Sequence, residues 1–82
     1  MTIVNDRPTE HKLDVCGLAC PLPILKAKKA IKGLPSGSLL TVLATDPSSV
    51  NDFKTFCELT GHRLETHSER TGIFRFQIRV KA

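Results

Sequence analysis

The sequence predicts an α+β fold in the order β-α-β-α-β-β, with two helices covering one face of a sheet. Three stretches carry this expectation. A helical apolar stripe follows Pro21, a nearly continuous apolar run spans Ser38 to Thr45, and near the end Phe74, Phe76, Ile78 and Val80 alternate with Arg75, Gln77, Arg79 and Lys81. The first has the 3.6-residue period of a helix buried on one side, and the last has the two-residue period of a half-buried strand. A strand that is polar on alternate positions belongs to a sheet with one solvated face, so the helices must share the other.

Taken in order, Lys12 to Cys16 is a short first strand whose apolar run Asp14 interrupts. Pro21 to Gly33 is the first helix. Ile24, Ala27, Ala30, Ile31 and Leu34 share one face of its wheel, and Lys26, Lys28, Lys29 and Lys32 fall on the other. Gly33 and Pro35 end it, and its lysines gather toward the C-terminal half, where the helix dipole favours cations. After a Ser36-Gly37 turn, Ser38 to Thr45 reads as a central, buried strand. Asp46 is expected to cap the second helix with Pro47 in its first turn. Val50, Phe53, Phe56, Cys57 and Thr60 then recur at helical spacing as far as Gly61. Arg63 to Glu69 is a weaker strand, and Arg70-Thr71-Gly72 turns it into an antiparallel hairpin with the last one. Residues 1–11 are polar and read as a flexible arm, leaving 12–82 as a single domain.

A chain of 82 residues has a modest core, so function is expected on the surface at an element end rather than in a deep cavity. The net charge of +4 points to acidic partners and leaves nucleic acid open. No apolar run approaches the roughly 20 residues of a membrane span, and residues 1–11 contain no apolar signal-peptide core. The expected compartment is therefore the cytoplasm. In a reducing compartment the three cysteines, Cys16, Cys20 and Cys57, are expected to be free, catalytic or metal-bound, and an odd count argues against a disulfide framework.

The chemistry concentrates at Cys16-Gly-Leu-Ala-Cys20-Pro-Leu-Pro23. Pro21 restricts Cys20 to extended angles, those of a helix N-cap. Proline is tolerated in a first helical turn, whose N–H groups lack intrahelical partners. Because Pro23 disfavours a helical Leu22, the regular helix begins at 21 or at 23. In either case Cys20 lies within about one turn of the positive helix end, which predicts a depressed thiol pKa and a sulfur that leaves readily when another thiol attacks its outer neighbour. Nothing in the sequence places His11, His62 or His67 beside Cys20. A hydrolytic cysteine mechanism thus lacks its positioned base and oxyanion site, whereas exchange chemistry needs neither.

Gly17-Leu-Ala-Cys-Pro-Leu-Pro23, preceded by Leu13-Asp14, resembles the Cys-Pro-x-Pro signature of the TusA (SirA-like) sulfur-carrier family. The resemblance runs from about Lys12 to Val80 and includes Asp46-Pro47 and the stretch from Asp52 to Phe56-Cys57. It implies a two-layer sandwich with a mixed four-stranded sheet. It also implies that Cys20 accepts sulfane sulfur as a persulfide from a cysteine desulfurase or rhodanese-type donor and passes it to an acceptor such as a TusD/DsrE-type protein. The family serves tRNA thiolation, cofactor biosynthesis and sulfur oxidation. Asp14, Gly17, Pro21, Pro23 and Asp46 become support for the motif. Cys16 departs from the family pattern. It is either a small residue ending the first strand or a second thiol able to attack a Cys20 persulfide, releasing sulfide and leaving a disulfide.

Leu22 and Leu25 lie off the core stripe of the first helix beside Lys26 and Lys29, which suggests a docking patch for acidic partners next to Cys20. Cys57, among Phe53 and Phe56, reads as core. Structural zinc is not expected, because Cys16 and Cys20 supply only half a ligand set and His62 and His67 are loosely spaced for the rest. No cofactor is indicated, and a monomer is expected since the carried sulfur must be presented freely. Two rival readings stand beside the carrier. Direct nucleic-acid binding fits the charge but lacks stacking aromatics, the four Phe residues following core periodicity. A Cys16/Cys20 thiol-disulfide oxidoreductase would need both thiols, whereas a carrier needs Cys20 alone.

Overall fold

A computed structural model describes residues 10–81. Its elements are β1 (Glu10–Asp14), α1 (Leu22–Lys32), β2 (Leu39–Ala44), α2 (Ser49–Thr60), β3 (Arg63–Arg70) and β4 (Ile73–Arg79), the expected order. The four strands form one mixed sheet in the spatial order β1-β2-β4-β3. β1 runs parallel to β2, and β4 is antiparallel to both β2 and β3. Parallel neighbours cannot be joined by a tight turn, so α1 is the crossover from β1 to β2. α2 then carries the chain to the far edge, and the β3–β4 hairpin returns it to the centre.

One face of the sheet is buried. Leu40, Val42 and Ala44 of β2 and Phe76 and Ile78 of β4 meet Ala27 and Ile31 of α1 and Phe53, Phe56 and Cys57 of α2 in a single core. The Phe53 ring stacks on Phe76 at a centroid distance of 4.7 Å and meets Phe56 edge-on at 6.5 Å. Among the described residues, no helix covers the opposite sheet face. For that reason the apolar run of β2 is not buried throughout: Leu39, Thr41 and Leu43 are half-buried on the open side. The edge strand β3 is exposed except at Leu64, which is half-buried, and an Arg79–Glu65 ion pair at 3.0 Å ties it to β4.

The boundaries correct the sequence reading in three places. β1 starts at Glu10 because Glu10 and His11 pair with Leu39 and Leu40, so these two residues belong to the sheet and not to an arm; the rest of the proposed arm, residues 1–9, lies outside the described residues. The first helix begins at Leu22 with Pro21 at its cap position, and Pro23 is buried in its first turn as part of the core-facing side. The second helix begins at Ser49 with Ser48 in the cap position, two residues after Asp46. Gly61 ends it in the left-handed region at φ 86°, donating its N–H to the Cys57 carbonyl at 2.9 Å, a conformation that glycine adopts without steric cost.

Candidate functional site

Because β1 and β2 are parallel, their C-terminal ends lie side by side and the loops that follow them meet. The Val15 N–H extends the ladder to the Leu43 carbonyl at 2.8 Å. The chain then turns. The Cys16 N–H donates to Asp14 Oδ1 at 2.9 Å and the Gly17 N–H to Thr45 Oγ1 at 2.8 Å. Gly17 has φ 84°, which a side chain would oppose. The next contact is the central one: the Cys20 N–H donates to Asp46 Oδ2 at 2.6 Å, while Asp46 Oδ1 accepts the Ser48 N–H at 3.1 Å. One carboxylate thus fastens the cysteine loop to the start of α2. The sequence makes Asp46 both a cap for its own helix and a support for the motif; its second oxygen reaches across to Cys20.

The Cys20–Pro21 peptide is cis. The expectation that Cys20 itself occupies the cap position of α1 is corrected by the helix bounds, which put Pro21 there. The Leu22 N–H donates to the Ala19 carbonyl at 2.9 Å and the Leu25 N–H to Pro21 at 3.1 Å, so the loop closes directly into the helix. Cys20 and Cys16 are both exposed free thiols, and Cys57 is buried.

The surroundings of the Cys20 sulfur come from α2 as much as from α1. Cys20 and Pro21 open a groove of about 470 Å³ between the two helices, continued by Ile24, Asp52, Phe56 and Leu59. Leu59 is 82% exposed. On the other flank of α1, Leu22, Leu25, Lys26 and Lys29 line a second hollow of about 430 Å³ with Leu13 and Ala30. The four residues singled out in the sequence are thus brought together beside the cysteine loop. His62 and His67 border a separate hollow with Cys57, His62 Nδ1 accepting the Lys81 N–H at 2.9 Å. Among the described residues, neither they nor the two solvent-facing cysteines form a common ligand set.

The electrostatics reverse one expectation. The Asp52 carboxylate, which lines the same groove as Cys20, holds that thiol above its ordinary pKa; burial and the Asp46 charge act in the same direction, and the Ser48 hydroxyl opposes them. The positive helix end, visible in the sequence, lowers a thiol pKa, whereas the two carboxylates that raise it arrive from a distant part of the chain. Asp14 does the same to Cys16, raising its thiol through a hydrogen bond. The backbone N–H groups of Ser48 and Cys20 hold the Asp46 carboxyl below its ordinary value, and the Cys16 N–H does so for Asp14. Burial pushes the Cys57 thiol up to about 11, in keeping with a packing role.

Residues 11–80, nearly the whole described chain, match the family model described as sulfurtransferase TusA. The chain belongs to the TusA family. A protein of Neisseria meningitidis serogroup B is 52% identical over 69 residues, covering 84% of this chain and 93% of that one. The sulfur carrier protein TusA of Allochromatium vinosum is 49% identical over 70 residues, covering 85% and 92%. Among solved structures, a SirA-like protein from Desulfitobacterium hafniense superposes with a TM-score of 0.77 at 28% identity, over 88% of this chain and 99% of that one. The TusA match takes in both halves of the site, the Asp14–Cys20 loop and the Asp46–Asp52 junction. Thr45, Ser48 and Asp52 are the site neighbours to which sequence reasoning gave no role. Ser48 and Asp52 are four apart and share a helix face, a spacing visible in the sequence; that this face turns toward Cys20 follows only from the sheet order.

Proposed function

We propose that the protein is a sulfur carrier that holds sulfane sulfur as a persulfide on Cys20 and hands it from a donor protein to an acceptor protein. The observation that carries this reading is an exposed free thiol on a loop whose backbone is fastened at Cys16, Gly17 and Cys20 by side chains of the two strand ends. The loop is fixed while the sulfur is left open, as a group that must enter a partner's site requires. The family's sulfurtransferase description and the sulfur-carrier name of a relative of nearly the same length support it.

In the loading step the Cys20 thiolate attacks the outer sulfur of the donor's persulfide. A Cys20–sulfur bond forms, the donor's sulfur–sulfur bond breaks, and the donor cysteine departs as a thiolate that takes up the proton Cys20 gave up. The sum is Cys20–SH plus R–S–SH giving Cys20–S–SH plus R–SH, with no external oxidant or reductant. Unloading is the same exchange with an acceptor thiolate attacking and Cys20 leaving. A cysteine desulfurase or rhodanese-type protein would be the donor and a TusD/DsrE-type protein the acceptor. Leu22, Leu25, Lys26 and Lys29 form the docking hollow for an acidic surface, with apolar centre and basic rim.

The test is intact-mass analysis after incubation with a cysteine desulfurase and cysteine, or with a rhodanese and thiosulfate. A gain of one sulfur atom that survives Cys16→Ser and Cys57→Ser and is lost in Cys20→Ser is expected. A gain that also needs Cys16 would replace the carrier by a two-thiol exchange protein.

A further inference from the structure

Asp52 stands out among the groups around Cys20, because the persulfide chemistry just described does not use it. It lies in the first turn of α2, half-buried, and shares the groove between the helices with Cys20. The neighbouring Ser48 hydroxyl donates to Asp52 Oδ2 at 3.4 Å, one turn back on the same face. The Cys20 amide is meanwhile anchored to Asp46 at 2.6 Å. The cysteine backbone is thus held by Asp46 ahead of α2, and its side chain lines the same groove as Asp52, one turn into that helix.

We infer that Asp52 is a positioning residue for Cys20: its carboxylate accepts the thiol hydrogen bond, aims the sulfur over the groove between the helices and holds its proton until a partner is engaged. The inference rests on the reading of Cys20 as the sulfur-bearing residue and adds what governs its readiness. The charged groups facing the sulfur are Asp46 before α2 and Asp52 within it, with Lys28 of α1 on the groove wall. Two anions lie on the α2 side and one cation on the α1 side. Ionising Cys20 places a third negative charge between the carboxylates, which Coulomb repulsion opposes. Removing the Asp52 charge while keeping its shape releases that opposition.

The test uses the full chain with Cys16→Ser, so that Cys20 is the sole exposed thiol. The rate of iodoacetamide alkylation is followed against pH. Asp52→Asn moves the midpoint of the profile to lower pH and raises the rate at neutral pH, while Asp52→Glu, which restores a carboxylate, stays nearer the parent than the Asn variant does. Urea denaturation verifies that the variants are folded. An unchanged midpoint in folded Asp52→Asn, or a Glu variant that shifts as far as Asn, overturns the inference. The alkylation readout does not involve sulfur loading, so failure here is distinct from failure of the carrier reading, which the mass experiment decides alone.

Discussion

Substituting Gly17 by alanine isolates the backbone of the cysteine loop from its contacts. Gly17 has φ 84°, yet a Cβ built there meets nothing within 4 Å. The substitution therefore adds no clash and removes no hydrogen bond, since the amide that reaches Thr45 is kept. Its cost is the left-handed backbone alone, roughly 1–2 kcal/mol for a residue with a side chain. A domain of this size has a total stability of about 4–12 kcal/mol, so Gly17→Ala stays folded but loses a measurable share. Gly33 supplies the internal control. Its φ is −92° and a Cβ would lie 3.7 Å from the Ala30 carbonyl oxygen, an ordinary contact. Gly33→Ala should therefore stabilise by about 0.4–1 kcal/mol through the unfolded chain. Urea denaturation followed by far-UV circular dichroism reads both, with m-values unchanged. Gly17→Asn falls between wild type and Gly17→Ala, because asparagine visits the left-handed region more readily. Equal stability of Gly17→Ala and wild type would refute the claim that this loop is held by a positive φ, as would a Gly33→Ala variant that loses more than Gly17→Ala.

Phe53→Ala, at a fully buried ring packed on Phe76 and Phe56, should cost about 3–5 kcal/mol in the same urea assay, and a loss below 1 kcal/mol would mean that this is not the centre of the core. Because the Cys57 thiol is pushed up to about 11, brief alkylation at mildly alkaline pH should modify Cys16 and Cys20 only, as peptide mass mapping will read. Asp46 titrates lower in the fold than its ordinary 3.8; a depressed carboxyl contributes order that is complete above the unfolded pKa and lost as pH falls through the folded one. Hydrogen-exchange protection of the Cys20 amide should therefore hold from neutral into mildly acid pH and fall only below the ordinary Asp range. Reversing both charges with Lys26→Glu and Lys29→Glu should slow sulfur transfer from the donor and flatten its salt dependence; stopped transfer reactions at graded salt check this.

What the sequence disclosed depended on whether a pattern reports its own element or a distant one. The alternation from Phe74 to Val80 is visible because one face of β4 meets the helices and the other meets water. The stripe of α1 is visible for the same reason. The apolar run of β2 is misleading, since Leu39 and Leu43 belong to a sheet face that no described helix covers, and a continuous run does not say which side is wet. At the site, the proline-flanked Cys20 was legible from its neighbours in the chain. The hydrogen bond from its amide to Asp46 joins residues 26 apart, and it exists only because β1 and β2 are parallel and in register, from Glu10 with Leu39 to Asp14 with Leu43. No local period encodes that pairing.

The sign of the thiol shift shows what such long-range pairing does to chemistry. A helix start taken alone favours the thiolate, and an exposed thiolate is the form that peroxides and other oxidants attack. Cys20 is exposed, so a strongly depressed pKa would leave it open to every oxidant in solution. Asp52 and Asp46 counter this by favouring the protonated thiol. On the proposed carrier reading, the same rise makes the thiolate that does form a stronger nucleophile toward a donor's outer sulfur, though a poorer leaving group when an acceptor attacks. Loading and unloading therefore place opposite demands on one pKa. A carboxylate that faces the groove rather than the core can be neutralised by a cation on an arriving partner, so the demand can be met separately in each complex. A buried carboxylate would fix one value for both.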